Sequence, residues 1–288
     1  MIERDKETES LRSDLSRGRA RELSRRLTSD YSKNMKRFFH AFTSGKVGAS
    51  NPKAEKRLVK RIRRVGQGAD NISISELVDF GEGKYFVWQS WAPVTSETDE
   101  FGVALMSIEI GVNPEAWKKM SDPIHIRKVL FLRQHPLQRI CERSENPESE
   151  LIEILNVSNL CLRASIYATG SSYSNDKEVL IPTTSGALIG NVLVDGERTA
   201  PIIIPNTFLT INQLKLGQRK VRTQLIDAIH EAKEEEIIFE KSSLVLATNE
   251  GVTIDDTLLV KELAPIMNKL PRTNSGFIER INNTPNEM

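Results

Sequence analysis

Three residues spaced four apart, His135, Arg139 and Arg143, have the side chains that chemistry on phosphate requires. On an α-helix this spacing places an imidazole and two guanidiniums on one face, each about one turn from the next. A guanidinium binds phosphoryl oxygens through paired N–H donors, and an imidazole exchanges a proton near neutral pH. The row therefore predicts a phosphate site. The alternative is that the arginines are solvated or paired with nearby acids such as Glu142, Glu145 or Glu148.

A short helix is expected to carry this row. Pro136 suits the first turn of a helix, because its ring fixes φ and no backbone N–H is needed there. We therefore expect a helix over residues 135–143, which Asn146-Pro147 terminates. Residues 126–132 before it are expected to form a short strand or the approach to this helix, and an acidic amphipathic helix is expected from about Glu148.

Segments rich in β-branched and aromatic residues predict strands in two groups. The first is an antiparallel meander over 72–77, 84–91 and 101–112, and the second covers 178–181, 187–194 and 201–211. Further helices are expected over 213–236 and near 257–270. The fold class is therefore α+β. It combines a basic helical N-terminal arm, a central antiparallel sheet with packed helices, a C-terminal helix and a mobile tail from residue 271.

The order of a strand, a His-x-x-x-Arg-x-x-x-Arg helix, a second helix, short strands and a last strand with Thr207 resembles a known family. It is similar to the barnase, colicin and RelE-type toxin endoribonucleases over residues 124–212, under a third of the chain. The resemblance implies metal-independent RNA cleavage of a toxin or phage-defence type. It implies that His135 is the general acid or base, that Arg139 and Arg143 stabilise phosphorane charge, and that Thr207 bonds a phosphate oxygen.

Charge is distributed unevenly along the chain. Residues 1–66 hold 19 Lys and Arg against 8 Asp and Glu, whereas the remainder holds 21 against 31. Such an asymmetry predicts contact with nucleic acid, and the expected phosphate-binding residues are Arg25, Arg26, Arg57, Lys60, Arg61, Arg63 and Arg64. The alternative is a solvated arm, or one that docks on the acidic body of its own chain. We divide the chain into a basic arm (1–66), an α+β core domain (67–236) and a C-terminal extension (237–288).

Several function classes are disfavoured. Cys141 and Cys161 are expected to be buried thiols rather than a disulfide or a zinc site, and no metal or cofactor is expected. The charged beginning and the lack of a long apolar run predict a cytoplasmic protein without a membrane partner. Three hypotheses remain: an RNA-binding or RNA-cleaving protein, with RNA favoured over DNA; a non-catalytic nucleic-acid-binding module whose acidic body recruits a protein; and a scaffold subunit, including a homo-oligomer.

Overall fold

The computed structural model describes most of the chain. The described residues are 2–29, 31–43, 73–80, 83–96, 99–111, 124–169, 178–193, 201–234, 245–248, 251–254 and 258–270, together with Lys53, Lys56, Arg57 and Lys60. None of the helices in these ranges is long and apolar enough to cross a membrane.

From residue 73 to residue 234 the helices and strands follow one another in the predicted order, whereas the hairpin over residues 245–254 was not predicted. Two helices, α1 (Ile2–Thr28) and α2 (Tyr31–Thr43), precede the strands β1 (Ser73–Phe80), β2 (Gly83–Ser96), β3 (Asp99–Gly111) and β4 (Ile124–Leu132). Then come α3 (Gln134–Arg143), α4 (Pro147–Thr169), β5 (Glu178–Pro182), β6 (Gly186–Leu193) and β7 (Ile202–Thr210). The described elements end with a 3-10 turn (Ile211–Gln213), α5 (Leu216–Glu234), the hairpin of β8 (Val245–Thr248) and β9 (Gly251–Ile254), and α6 (Leu258–Met267).

The first seven strands form one sheet in the order β1-β2-β3-β4-β7-β6-β5. Neighbouring strands are antiparallel except β4 and β7, which run parallel and pair at Leu130 and Ile203. The structure confirms the α+β class. It corrects the expected antiparallel sheet to a mixed one in which both groups of strands are joined. Parallel neighbours require a crossover connection, and the chain segment that contains α3 and α4 provides it.

The hydrophobic core lies between this sheet and the helices packed on it. Trp91 of β2 and Leu105 of β3 are paired neighbours and are fully buried. They belong to one apolar cluster with side chains from five helices, among them Leu23, Ile140, Ile154, Leu225 and Leu263. Trp88, also on β2, is buried as well.

Helix α1 packs against the core along the later part of its length. Leu23 and Leu27, four residues apart on this helix, are buried, whereas Leu15 is 66% exposed. Ser24 Oγ donates a hydrogen bond to the carbonyl of Gly102 on β3 at 3.4 Å. These contacts favour a docked helix over a solvated one. The division of the chain into three parts stays a prediction, and the expected mobile tail from residue 271 lies outside the described residues.

A buried ion pair joins β3, β4 and α4. The side chains of Glu109 and Arg127 are 0% and 2% exposed, and Arg127 Nη2 lies 2.9 Å from Glu109 Oε1. Arg127 Nε donates to the same oxygen at 3.0 Å, and Nη2 also donates to Asn159 Oδ1 of α4 at 3.0 Å. Both charges have lost their hydration. Their stability in this position therefore depends on each other and on these hydrogen bonds.

Gly190 lies on β6, where the pairing with β7 shifts register. A Cβ at this position would lie 2.3 Å from the carbonyl oxygen of Ile204 and 2.5 Å from Cα of Pro205. We expect Gly190→Ala to lower the free energy of unfolding by about 1–3 kcal/mol, because the β7 backbone must move. Urea unfolding measures the change.

Gly18 in α1 is the matched control, since nothing lies within 4 Å of its Cβ position. Gly18→Ala should raise the free energy of unfolding by about 0.5–1 kcal/mol through helix propensity. Changes of the same sign in both variants would contradict the close approach at Gly190.

Candidate phosphate-binding surface

Helix α3 begins immediately after β4, with Arg133 as the connecting residue. The helix covers residues 134–143, which confirms the expected helix. Its core-facing residues are Pro136, Leu137, Ile140 and Cys141. On the other side His135 is exposed, and Arg139 and Arg143 are half-buried. The faces of α3 are thus divided as the spacing of the row predicts.

His135 is placed to accept a proton. Loss of part of its hydration lowers the pKa of His135 below the usual 6.5, and the positive charge of Arg139 acts in the same direction. Glu142 opposes them by raising this pKa, and Arg143 adds a further lowering. The imidazole is therefore mainly neutral at pH 7, and the neutral form is the one that takes up a proton.

Arg139 forms an ion pair with Glu142, one of the acids that the sequence offers as an alternative partner. Arg139 Nη1 donates to Glu142 Oε2 at 2.5 Å. The Arg139 side chain is 37% exposed and that of Glu142 is 20% exposed, so the pair lies at the surface. Such pairs contribute about 0.2–1 kcal/mol, and Arg139 can therefore exchange this carboxylate for another anion.

Arg143 and Thr207 meet at one backbone carbonyl. Strand β7 is the parallel neighbour of β4 and continues beyond the point where β4 ends. The later part of β7 therefore lies beside α3. Arg143 Nη1 donates to the carbonyl oxygen of Phe208, and Thr207 Oγ1 donates to the same oxygen at 3.4 Å. Burial and then the charge of Arg139 lower the pKa of Arg143, whose guanidinium stays protonated. The one hydroxyl hydrogen of Thr207 and part of the donor capacity of Arg143 therefore bind the backbone of β7.

A polar seam holds α3 against α1. Gln138 Nε2 donates to Ser13 O at 3.2 Å, to Ser16 Oγ at 3.0 Å and to Glu142 Oε1 at 3.1 Å. Ser16 Oγ donates to Glu142 Oε1 at 2.8 Å. Gln138 and the two serines are absent from the predicted site. The i, i+4 spacing of Gln138 and Glu142 is a signal for their contact, whereas no local pattern indicates the serines of α1.

The predicted basic residues of the N-terminal segment are exposed wherever their side chains are described. Arg25 pairs with Glu22 within α1, and Arg26 Nη1 lies 2.6 Å from Glu148 Oε1 of α4. Arg57 and Lys60 are helical. The remaining predicted contacts, Arg61, Arg63 and Arg64, lie outside the described residues.

Other features of the described residues offer less chemistry. Cys141 and Cys161 are buried free thiols, as predicted, and burial raises the pKa of the two thiols to about 11 and about 12. A groove of about 810 Å³ between α1 and the α3–α4 connection is lined by both acidic and basic side chains. Within the described ranges, no group of three or more His, Cys, Asp or Glu side chains could hold a metal ion.

Comparison with known proteins does not identify a relative: no family model, no curated protein and no solved structure matches the chain.

Proposed function

We propose that this protein binds RNA and that the α3 surface, defined as His135, Arg139, Arg143 and Thr207, contacts its phosphates. The observation that carries the proposal is that two guanidiniums, those of Arg139 and Arg143, lie with His135 on one helix face away from the core. Arg139 lowers the pKa of both His135 and Arg143, so these groups lie within electrostatic reach of one another. A bound phosphate would relieve that repulsion and would accept hydrogen bonds from the guanidiniums.

The basic N-terminal segment supports the same proposal. Helix α1 docks directly on α3 through the contacts of Ser16 with Gln138 and Glu142, and α1 carries exposed basic side chains, among them Arg25 and Arg26. A polynucleotide can contact both regions at once, whereas a single phosphate group cannot. Binding should therefore weaken steeply with salt, because each neutralised phosphate releases counterions. We favour RNA over DNA on the resemblance to ribonucleases, and a DNA of the same sequence tests that choice.

Arg139→Ala is expected to weaken binding of a labelled single-stranded RNA about tenfold, since a hydrogen-bonded charge contact contributes about 1.5 kcal/mol. Fluorescence anisotropy at a fixed, low salt concentration measures the dissociation constant. Lys220→Ala on α5 is the matched control, because it removes one exposed positive charge from another helix. Equal affinities for wild type, the control and Arg139→Ala would reject the α3 surface as the binding site.

The exposed, mainly neutral imidazole of His135 favours a second function, metal-independent cleavage of the bound RNA. His135 would remove the proton of a ribose 2′-hydroxyl, and the 2′-oxygen would form a bond to the adjacent phosphorus. The bond from phosphorus to the 5′-oxygen would break, and the leaving oxygen would take a proton from water. Arg139 would stabilise the negative charge that develops on the phosphorane. RNA that stays intact with the wild-type protein in EDTA would reject this second function.

A further inference from the structure

The carboxylate of Glu142 already pairs with the guanidinium of Arg139, which in the proposed function binds phosphate. Its Oε2 accepts from Arg139, while Oε1 accepts from Ser16 at 2.8 Å and from Gln138 at 3.1 Å. Burial raises the pKa of Glu142, but the hydrogen bonds from Ser16, Arg139 and Gln138 outweigh it and lower the pKa overall. Glu142 is therefore ionised at neutral pH, and donors from two helices fix its position.

We propose that Glu142 is a built-in competitor that sets the affinity of the α3 surface for phosphate. This inference rests on the proposed function. Any phosphate that binds Arg139 must displace the carboxylate or accept a like charge beside it, and either one weakens binding. Turning away would cost the carboxylate its contacts at the other oxygen, where Gln138 Nε2 lies at 3.1 Å and Ser16 Oγ at 2.8 Å, although the Ser16 hydroxyl is equally close to the carbonyl of Ser13.

The same competition limits which ligands bind. An isolated phosphate or a mononucleotide has only the contacts at α3 with which to overcome Glu142. A polynucleotide adds contacts to neighbouring basic side chains, which raise its effective concentration at the site. Glu142 lowers the affinity of both ligands by the same factor, so only a ligand with these additional contacts, a polynucleotide rather than a free nucleotide, still binds at low concentration.

The test compares Glu142→Gln with Glu145→Gln. Both variants remove one negative charge, and Glu145 is an exposed residue outside the row. We expect Glu142→Gln to bind single-stranded RNA about fivefold more tightly than wild type, the effect of one surface charge interaction. Glu145→Gln should change the affinity by less than about twofold. Thermal unfolding followed by circular dichroism checks that both variants fold.

A double variant tests the competition by Glu142 separately from the binding of phosphate by Arg139. If Glu142 acts through Arg139, Arg139→Ala/Glu142→Gln should bind no more tightly than Arg139→Ala alone. Unchanged or weaker binding by Glu142→Gln, together with loss of affinity in Arg139→Ala, would overturn the competitor and leave the proposed function standing. If Arg139→Ala itself has no effect, the proposed function is the part that fails.

Discussion

Arg127→Ala is expected to lower the free energy of unfolding by about 3–5 kcal/mol, because it leaves a buried carboxylate without its cation. The Glu109 side chain is 0% exposed; Arg127 donates to its Oε1 through Nε, and Nη2 of the same guanidinium lies 2.9 Å from that oxygen. The substitution also removes the hydrogen bond to Asn159 and so loosens α4 from the sheet. Urea unfolding followed by circular dichroism measures the change.

Two controls distinguish burial of charge from loss of volume. Glu109→Met/Arg127→Met removes both charges while keeping side chains of similar bulk, so it should be more stable than Arg127→Ala. Arg139→Ala breaks an ion pair at the surface and should cost less than about 1 kcal/mol. A loss below about 1 kcal/mol in Arg127→Ala would contradict a desolvated ion pair in the core.

His135→Ala should lower the rate of RNA cleavage in EDTA by about 100-fold or more, the usual contribution of a general base. RNA affinity should change far less than the rate, because the guanidiniums remain. The side chain is exposed, so the free energy of unfolding should stay within about 0.5 kcal/mol of wild type. His230→Ala, which removes an exposed histidine of α5, is the matched control. Equal loss of activity in both variants would reject a specific role for His135.

The pH dependence of cleavage follows from the same residue. The pKa of His135 is lowered from 6.5, and only the neutral imidazole accepts a proton. The rate should therefore rise as pH increases through a value below 6.5 and should level off near neutral pH. The sign would reverse if the protonated imidazole acted instead, since activity would then be lost over the same range. A single-turnover rate profile decides between the two.

Elements of this fold were predictable where the pattern is local. Pro136 indicated the first turn of α3, and the Asn146-Pro147 pair indicated its end, so the helix lies where expected. The parallel pairing of β4 with β7 was not predictable in this way. Alternation of apolar residues identifies a strand and its buried face, but it does not tell which distant strand becomes its neighbour.

The residues of the candidate site were likewise predictable only where their placement depends on local structure. Helical spacing placed His135, Arg139 and Arg143 on one face of α3, since that depends on the period of the helix alone. The meeting of Arg143 with Thr207 at Phe208 depends on the lateral position of β7, and the hold of Ser16 on Glu142 depends on where α1 docks. These are tertiary contacts, and a single sequence has no local signal for them.

The parallel junction at Leu130 and Ile203 also bears on the order of folding. On either side of it, β1 to β4 and β5 to β7 are antiparallel neighbours whose pairings are close in sequence and can form early. The junction closes a much longer loop and therefore forms late. Until it forms, β4 and β7 have unpaired edges open to association with other chains. Because α3 contacts β7 across this sheet, we expect a partly folded chain to lack the meeting of Arg143 and Thr207 at the carbonyl of Phe208.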